Sequence, residues 1–287
     1  MRKRHHIRIL AILAICFALG HVASAADLKP KTTTAFDKYV AATEARFAKE
    51  LQPGGTFLYI DAFSLDDQRK AYDQLKAGEI LVQKLETKAS GVSSDVPDGM
   101  VHHWVGLIFI PGVTLAQTLT VVKDYDRRAE LYKPDVAASR TTSHHGDDFT
   151  MFLRLHRKRF TTVDFNTDYA IHWGQVSPTM VHSNSISTRI AEVKDPDKPD
   201  GDELPVGTGH GYLWRLNTYW RFEEKDGGVY LQCEALSLTR DMPIGLGWLL
   251  KPLVTSIPKA SLNRALGQTR KVVQDEARTC CNASALH

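Results

Sequence analysis

A series of stretches between Asp148 and Thr239 repeats with a period of two, and this period constrains the chain more than any other feature. DFTMFLRLHRK sets Phe149, Met151, Leu153 and Leu155 against Thr150, Arg154 and His156. TTVDFNTDYAIHW carries Val163, Phe165, Tyr169, Ile171 and Trp173 on one parity. GYLWRLNTYWRF places Tyr212, Trp214, Leu216, Thr218, Trp220 and Phe222 on one face and Leu213, Arg215, Asn217, Tyr219 and Arg221 on the other. Successive side chains of a strand point to opposite faces, so the spacing predicts strands. Residues Glu224 to Gly228, EKDGG, are a hairpin signal from which VYLQCEALSLT returns. MVHSNSISTRIAEV also reads as a strand, but it is polar on both parities, and an exposed edge strand is expected.

Helical periods flank this block. Phe36, Tyr39, Val40, Thr43, Phe47 and Leu51 follow a Lys29–Thr34 tether and stop at Pro53-Gly54-Gly55. Ser64 can cap a second helix with Asp66 and Asp67 in its first turn and Gly78 past its end. EILVQKLETK and VHHWVGLIFI read as strands. Thr114 and Gln117 form a capping box for a helix marked by Leu115, Leu119, Val122, Tyr125, Ala129 and Tyr132, ending near Pro134. Pro258 opens a terminal helix with Leu262, Ala265, Leu266, Thr269, Val272, Val273 and Ala277 on one face. Its approach, Gly245 to Ile257, is apolar but broken by Lys251 and Pro252, and is too short to span a bilayer. That approach is either a pocket lid or a shallow membrane-docking patch. Antiparallel strands between a mid-chain helix and a long terminal helix predict an α+β fold.

The first residues, MRKRHHIRILAILAICFALGHVASAADL, have the three parts of a secretory signal peptide. Arg2, Lys3, Arg4 and Arg8 precede the apolar run Ile9 to Gly20, and Ala23-Ser24-Ala25 places the cut after Ala25. No transmembrane segment is expected in the mature chain, which is periplasmic or extracellular. Loss of those four cations takes the formal charge from +3 to −1, which disfavours a basic nucleic-acid binder. Cys233 reads as a buried small hydrophobe, and the pairing of Cys233, Cys280 and Cys281 stays open.

This order resembles the START-like superfamily, also called SRPBCC or helix-grip proteins. The resemblance rests on the strand pair, the helix containing VVKDYDRRAELYKPDVAAS, the strands from Thr142 to Thr239 and the terminal helix Pro258 to Arg278, with DYDRRAELYKPDV the best local match. It covers roughly residues 79–278. Residues 1–25 are then the signal peptide, 26–78 an N-terminal helical extension outside the family pattern, and 279–287 a tail. The resemblance implies a curved antiparallel sheet gripping the C-terminal helix around a cavity. Members hold lipids, sterols, polyketides or plant hormones; some are cyclases or substrate-binding domains of oxygenases.

The candidate site follows from both lines. Trp173, Trp214, Trp220, Phe222 and Tyr212 either line a cavity for an apolar ligand or pack sheet against helix. Trp248 and Leu250, with Leu246 and Leu249, flank its mouth. Arg189, with His182, Ser183, Asn184, Ser185 and Thr188, would orient a head group if one face of the polar strand points inward. Arg215, Tyr219 and Arg221 either bind an anion or pair with Glu234 on the outer surface.

No metal site is expected from His102-His103 or His144-His145, because adjacent strand residues point apart. No C-x-x-C supports zinc. Gly207–Gly211 precedes a strand, so it is no phosphate cradle, and no cofactor is expected. No G-x-S-x-G occurs and no catalytic residue is assigned. Asp124, Asp126 and Asp241 read as helix or turn surface charges. The expected function is an exported binder of a hydrophobic small molecule or lipid, in transient contact at most with a membrane surface. The alternatives are a cyclase- or aromatase-like acid–base enzyme in the same cavity, and an envelope interaction module.

Overall fold

The alternating stretches form one antiparallel sheet of eight strands. In chain order these are β1 (Leu81–Lys84), β2 (Gly99–Pro111), β3 (Val136–His145), β4 (Asp148–Lys158), β5 (Thr162–Ser177), β6 (Met180–Glu192), β7 (Arg215–Lys225) and β8 (Gly228–Arg240). Their spatial order is β1-β2-β8-β7-β6-β5-β4-β3, so the hairpin β7–β8 inserts between β2 and β6. The computed structural model describes residues 26–88, 91–158, 162–196, 198, 201–241 and 247–284, without the side chains of 247–255 and 280–284. Residues 1–25, where a signal peptide is expected, and the Cys280-Cys281 side chains lie outside these residues.

The helices are α1 (Pro30–Glu50), α2 (Leu65–Lys76), α3 (Leu115–Val122), α4 (Arg128–Leu131) and α5 (Gly247–Ser284). The expected signals act locally. Asp67 N–H donates to Ser64 Oγ at 3.3 Å, and Thr114 and Gln117 close a capping box on α3. Asp226 and Gly227 both have positive φ, 57° and 73°, as a two-residue hairpin turn that follows the sheet's twist requires.

Helix α5 lies across the concave face, its backbone closest to β2. Gly106 makes that approach feasible, because a Cβ there would stand 2.5 Å from Leu266 Cδ1. Leu262, Leu266, Val272 and Val273 join a core with Ile108, Ile110, Leu231, Phe222 and Trp173. The convex face is covered as well. Thr32, Phe36, Tyr39, Thr43 and Phe47 form the buried face of α1. Phe36, Tyr39 and Phe47 pack on Tyr219, Leu236 and Leu238. Ala71 and Leu75 of α2 pack near Leu107, Phe109 and Tyr230. Residues 26–78 therefore roof the outer face, and the central strands have helices on both sides.

Several expectations change. The Lys29–Thr34 tether is mostly the first turn of α1, with Pro30 at its start, where its missing N–H costs nothing. The helix predicted over 115–132 divides, because Asp124 Oδ1 takes the Arg127 N–H at 3.2 Å and turns the chain. The terminal helix begins at Gly247, so Pro258 lies inside it, at the cost of one hydrogen bond to the carbonyl of residue 254. The polar strand 180–192 is no edge: β6 lies between β5 and β7.

Candidate functional site

Strand register places the side chains of the concave face in rows. One row runs Trp104, Ala235, Thr218, Ser185 and Ile171 across β2, β8, β7, β6 and β5. The next runs Gly106, Cys233, Trp220, Ser183 and Trp173. Directly paired residues share a face, so the second row sets the Ser183 hydroxyl between the indoles of Trp220 and Trp173, and the first sets Thr218 beside Ser185. The ring of Trp173 stacks on Phe222 at 5.6 Å between centroids, and Phe222 stacks on Trp220 at 6.4 Å.

These rows are incompletely filled. On β7, Leu216, Thr218 and Trp220 face the concave side and remain partly exposed, although the strand is central. Their neighbours Asn217, Tyr219 and Arg221, facing the convex side, are buried. Ala235 and Trp104 are also partly exposed. Accessible surface therefore reaches the middle of the sheet from the concave side. Its polar groups are spare: Trp104 Nε1 is buried without a hydrogen-bond partner. Ser183 and Ser185 are 3% and 7% exposed, and among the described residues their hydroxyls have no partner. Trp220 Nε1 donates to Thr218 Oγ1 at 3.1 Å.

Burial sets the electrostatics here. His102 lies one row from Trp104 on the same face; burial, reinforced by the charge of Lys84, lowers it to about 4. Its Nε2 is 3.0 Å from Thr239 Oγ1. Burial pushes the Cys233 thiol well up, and it is a free cysteine that fills space on the floor. Tyr125 OH accepts from Trp173 Nε1 at 2.8 Å, and Lys123 Nζ lies 4.4 Å from the Trp173 ring centroid.

The structure brings together Trp173, Trp220 and Phe222 on this face. Trp214 and Tyr212 are not with them. Trp214 precedes β7 and packs in the convex-side cluster with Phe36 and Tyr39, so parity does not carry through Gly211–Trp214. Tyr212 is 40% exposed and stacks on His210. Arg189 pairs with Asp168 and Glu203 and stays partly exposed. The side chains of Trp248 and Leu250 lie outside the described residues. Sequence reasoning missed Trp104 and His102 as concave residues; their parity in VHHWVGLIFI was the available signal.

The convex face holds a second polar assembly. Glu234 accepts from Arg46 and lies 2.5 Å from His103 Nε2, while His103 Nδ1 lies 2.8 Å from Tyr39 OH. Arg221 reaches Glu50 at 2.5 Å and the Phe57 carbonyl at 2.6 Å. Glu234 thus pairs with α1, whereas Arg221 and Tyr219 engage Glu50 and Glu44. The expected Glu234 pairing with the β7 residues on an open outer surface is corrected, because α1 covers that surface. A recess of about 290 Å³ beside this assembly is lined by Arg46, Glu50, Tyr59, His103 and Gln232. Its arginine, Glu50 and His103 are already paired, so the assembly ties α1 to the sheet.

No family model matches the chain, and no curated protein matches it. Solved structures similar to it include a STAR-related lipid transfer protein fragment from Xanthomonas axonopodis, at 14% identity over 65% of this chain and 98% of that one, TM-score 0.42. Human STARD10 is similar at 10% identity over 79% and 86% of the two chains, TM-score 0.43. An aromatase/cyclase from a Streptomyces species is similar at 10% identity over 63% and 98%, TM-score 0.42. The strand order, the antiparallel sheet and the helix across its concave face make an α+β fold in which one sheet grips the terminal helix.

Proposed function

We propose that the chain is an exported binding protein that holds a hydrophobic small molecule or lipid between the sheet and α5. The carrying observation is the half-open floor of a central strand: Leu216, Thr218 and Trp220 stay partly exposed on the concave face while their convex neighbours are buried. An apolar ligand that covers them leaves water, and burial of apolar area contributes about 25 cal/mol per Å² before the costs of association. Export rests on the N-terminal sequence. Among the described residues no helix is long and apolar enough to cross a membrane. Thermal-shift measurements over a lipid panel test the reading. A rise in Tm with at least one lipid, lost in Trp220→Arg, is expected; no shift with any lipid, and none with short hydrophobic ligands, contradicts it.

Acid–base catalysis on the same face is the second reading, and His102 is the observation that favours it. It is a buried neutral imidazole on the concave face. Its Nε2 is already engaged by Thr239 and its basicity is lowered, so binding is the reading carried forward.

A further inference from the structure

One end of the concave face is cationic with nothing to balance it, and the inference drawn from this rests on the binding reading above. Lys84 on β1 is in register with Trp104 on β2, so the two side chains share the concave face and start about 5 Å apart. Trp104 Nε1 is buried without a partner. Lys84 is exposed, and among the described residues it has neither an ion pair nor a hydrogen bond. Its charge acts on His102, the next side chain along the same face of β2.

No acid answers that charge. Among the described residues, the one carboxylate on the concave side of β1, β2, β8 and β7 is Glu224, and its Oε2 already takes the Leu115 N–H at 2.6 Å. Glu86, two residues after Lys84, lines the convex-side recess and takes the Ser94 hydroxyl. From Lys84 an accessible track leads inward. Trp104, Ala235 and Thr218 lie in one row and are all partly exposed, with Leu216 and Trp220 on either side of Thr218. The opposite end of the face differs. Lys123 lies over the Trp173 ring, but Trp173 and Ser183 are each 3% exposed, and Trp173 Nε1 is spent on Tyr125 OH.

We infer that the concave face takes a long-chain carboxylate whose head group sits on Lys84 and the Trp104 indole N–H, and whose chain runs over Ala235 and Thr218 toward Trp220. The juxtaposition that carries this is an unpaired buried donor beside an unpaired ammonium at the open end of the track. An unpaired buried donor costs free energy that a ligand oxygen recovers. Two donors match the two oxygens of a carboxylate, and hydrogen bonds to an ionised acceptor are the stronger kind. A head group at the edge strand keeps water on its outer side, so it avoids the desolvation cost of a deeply buried ion.

Isothermal titration calorimetry of the mature chain at about pH 8 with decanoate, decylammonium and decan-1-ol tests this. The three probes share an apolar chain and differ in charge. Decanoate is expected to bind at least about tenfold tighter than decylammonium. Lys84→Met keeps an apolar stem and removes the charge; it should weaken decanoate about fivefold, the upper range of an exposed ion pair, and leave decan-1-ol unchanged. Trp104→Phe should weaken decanoate about tenfold, the loss of one charge-assisted hydrogen bond. Lys84 is exposed on an edge strand, so its variant serves if the Trp104 variant folds poorly. Lys123→Met should leave decanoate unchanged. Equal or tighter binding of decylammonium, an unchanged decanoate affinity in Lys84→Met, or a loss in Lys123→Met instead overturns the inference, while binding of decan-1-ol keeps the binding reading. Binding of none of the three, together with no shift across the lipid panel, removes the binding reading and the inference with it.

Discussion

Trp220 and Arg221 are chain neighbours on β7 that end in different compartments: Trp220 is partly open on the concave face, and Arg221 is 3% exposed beneath α1. The separation follows from the strand's period of two and from covers on both faces. It divides the molecule into a face that is still able to receive something and a face already occupied by the chain's own N-terminal helices.

Arg221 anchors that occupied face. It bonds Glu50 and the Phe57 carbonyl from a buried position. Replacing it by alanine strands both acceptors, and hydrogen bonds to charged groups are worth about 1.5–3 kcal/mol. Arg221→Ala should lower stability by about 2–3 kcal/mol in urea unfolding. A loss below about 0.5 kcal/mol would show that α1 is held by its apolar face alone.

Tyr39 has the opposite chemistry with a similar expectation. Its hydroxyl accepts the Thr87 N–H at 2.7 Å and lies 2.8 Å from His103 Nδ1. Tyr39→Phe leaves a buried amide and a buried imidazole nitrogen unpaired, so a loss of about 1–3 kcal/mol is expected. Hydrogen exchange at Thr87 should accelerate in the variant; unchanged exchange would place that amide's protection elsewhere.

His102 makes stability fall toward acid. The folded chain holds it neutral to about pH 4, against 6.5 for an ordinary histidine. Above pH 6.5 both folded and unfolded forms are neutral and the residue contributes no slope. As pH drops below 6.5 the unfolded chain takes the proton first, so stability declines down to about pH 4 and then levels. The difference corresponds to about 3 kcal/mol. His182, also lowered chiefly by burial, acts in the same direction. His102→Asn should flatten the decline between these pH values; an unchanged acid slope would mean that His102 is protonated in the folded chain.

Gly106 sets how closely α5 meets the sheet. A Cβ there would press on Leu266, which is itself buried on the helix. Gly106→Ala should cost about 1–3 kcal/mol, the range of overpacked cores. Gly106→Val should cost more and weaken ligand retention by displacing the helix. A neutral Gly106→Ala would indicate that α5 shifts freely on β2.

Much of the fold was legible because its signals are local. The Ser64 and Thr114 caps, the Asp226-Gly227 turn and the alternation in β4, β5 and β7 each depend on neighbours in sequence. What was hidden depends on long-range covering. HSNSISTRI reads as an edge because both parities are polar, yet Ser183, Ser185 and Ser187 are buried in a central strand. Parity also cannot report where a strand begins, and so Trp214 was grouped with Trp220. The α1 residues Arg46 and Glu50 look like helix surface charges until Glu234 and Arg221 rise to meet them from the sheet.

Native mass spectrometry of the protein, followed by organic extraction, tests the central claim most directly. The account predicts a bound species of a few hundred daltons that extracts as a lipid-like molecule and is depleted in Trp220→Arg. A preparation with only the bare polypeptide mass, which also takes up no lipid on incubation, would contradict it.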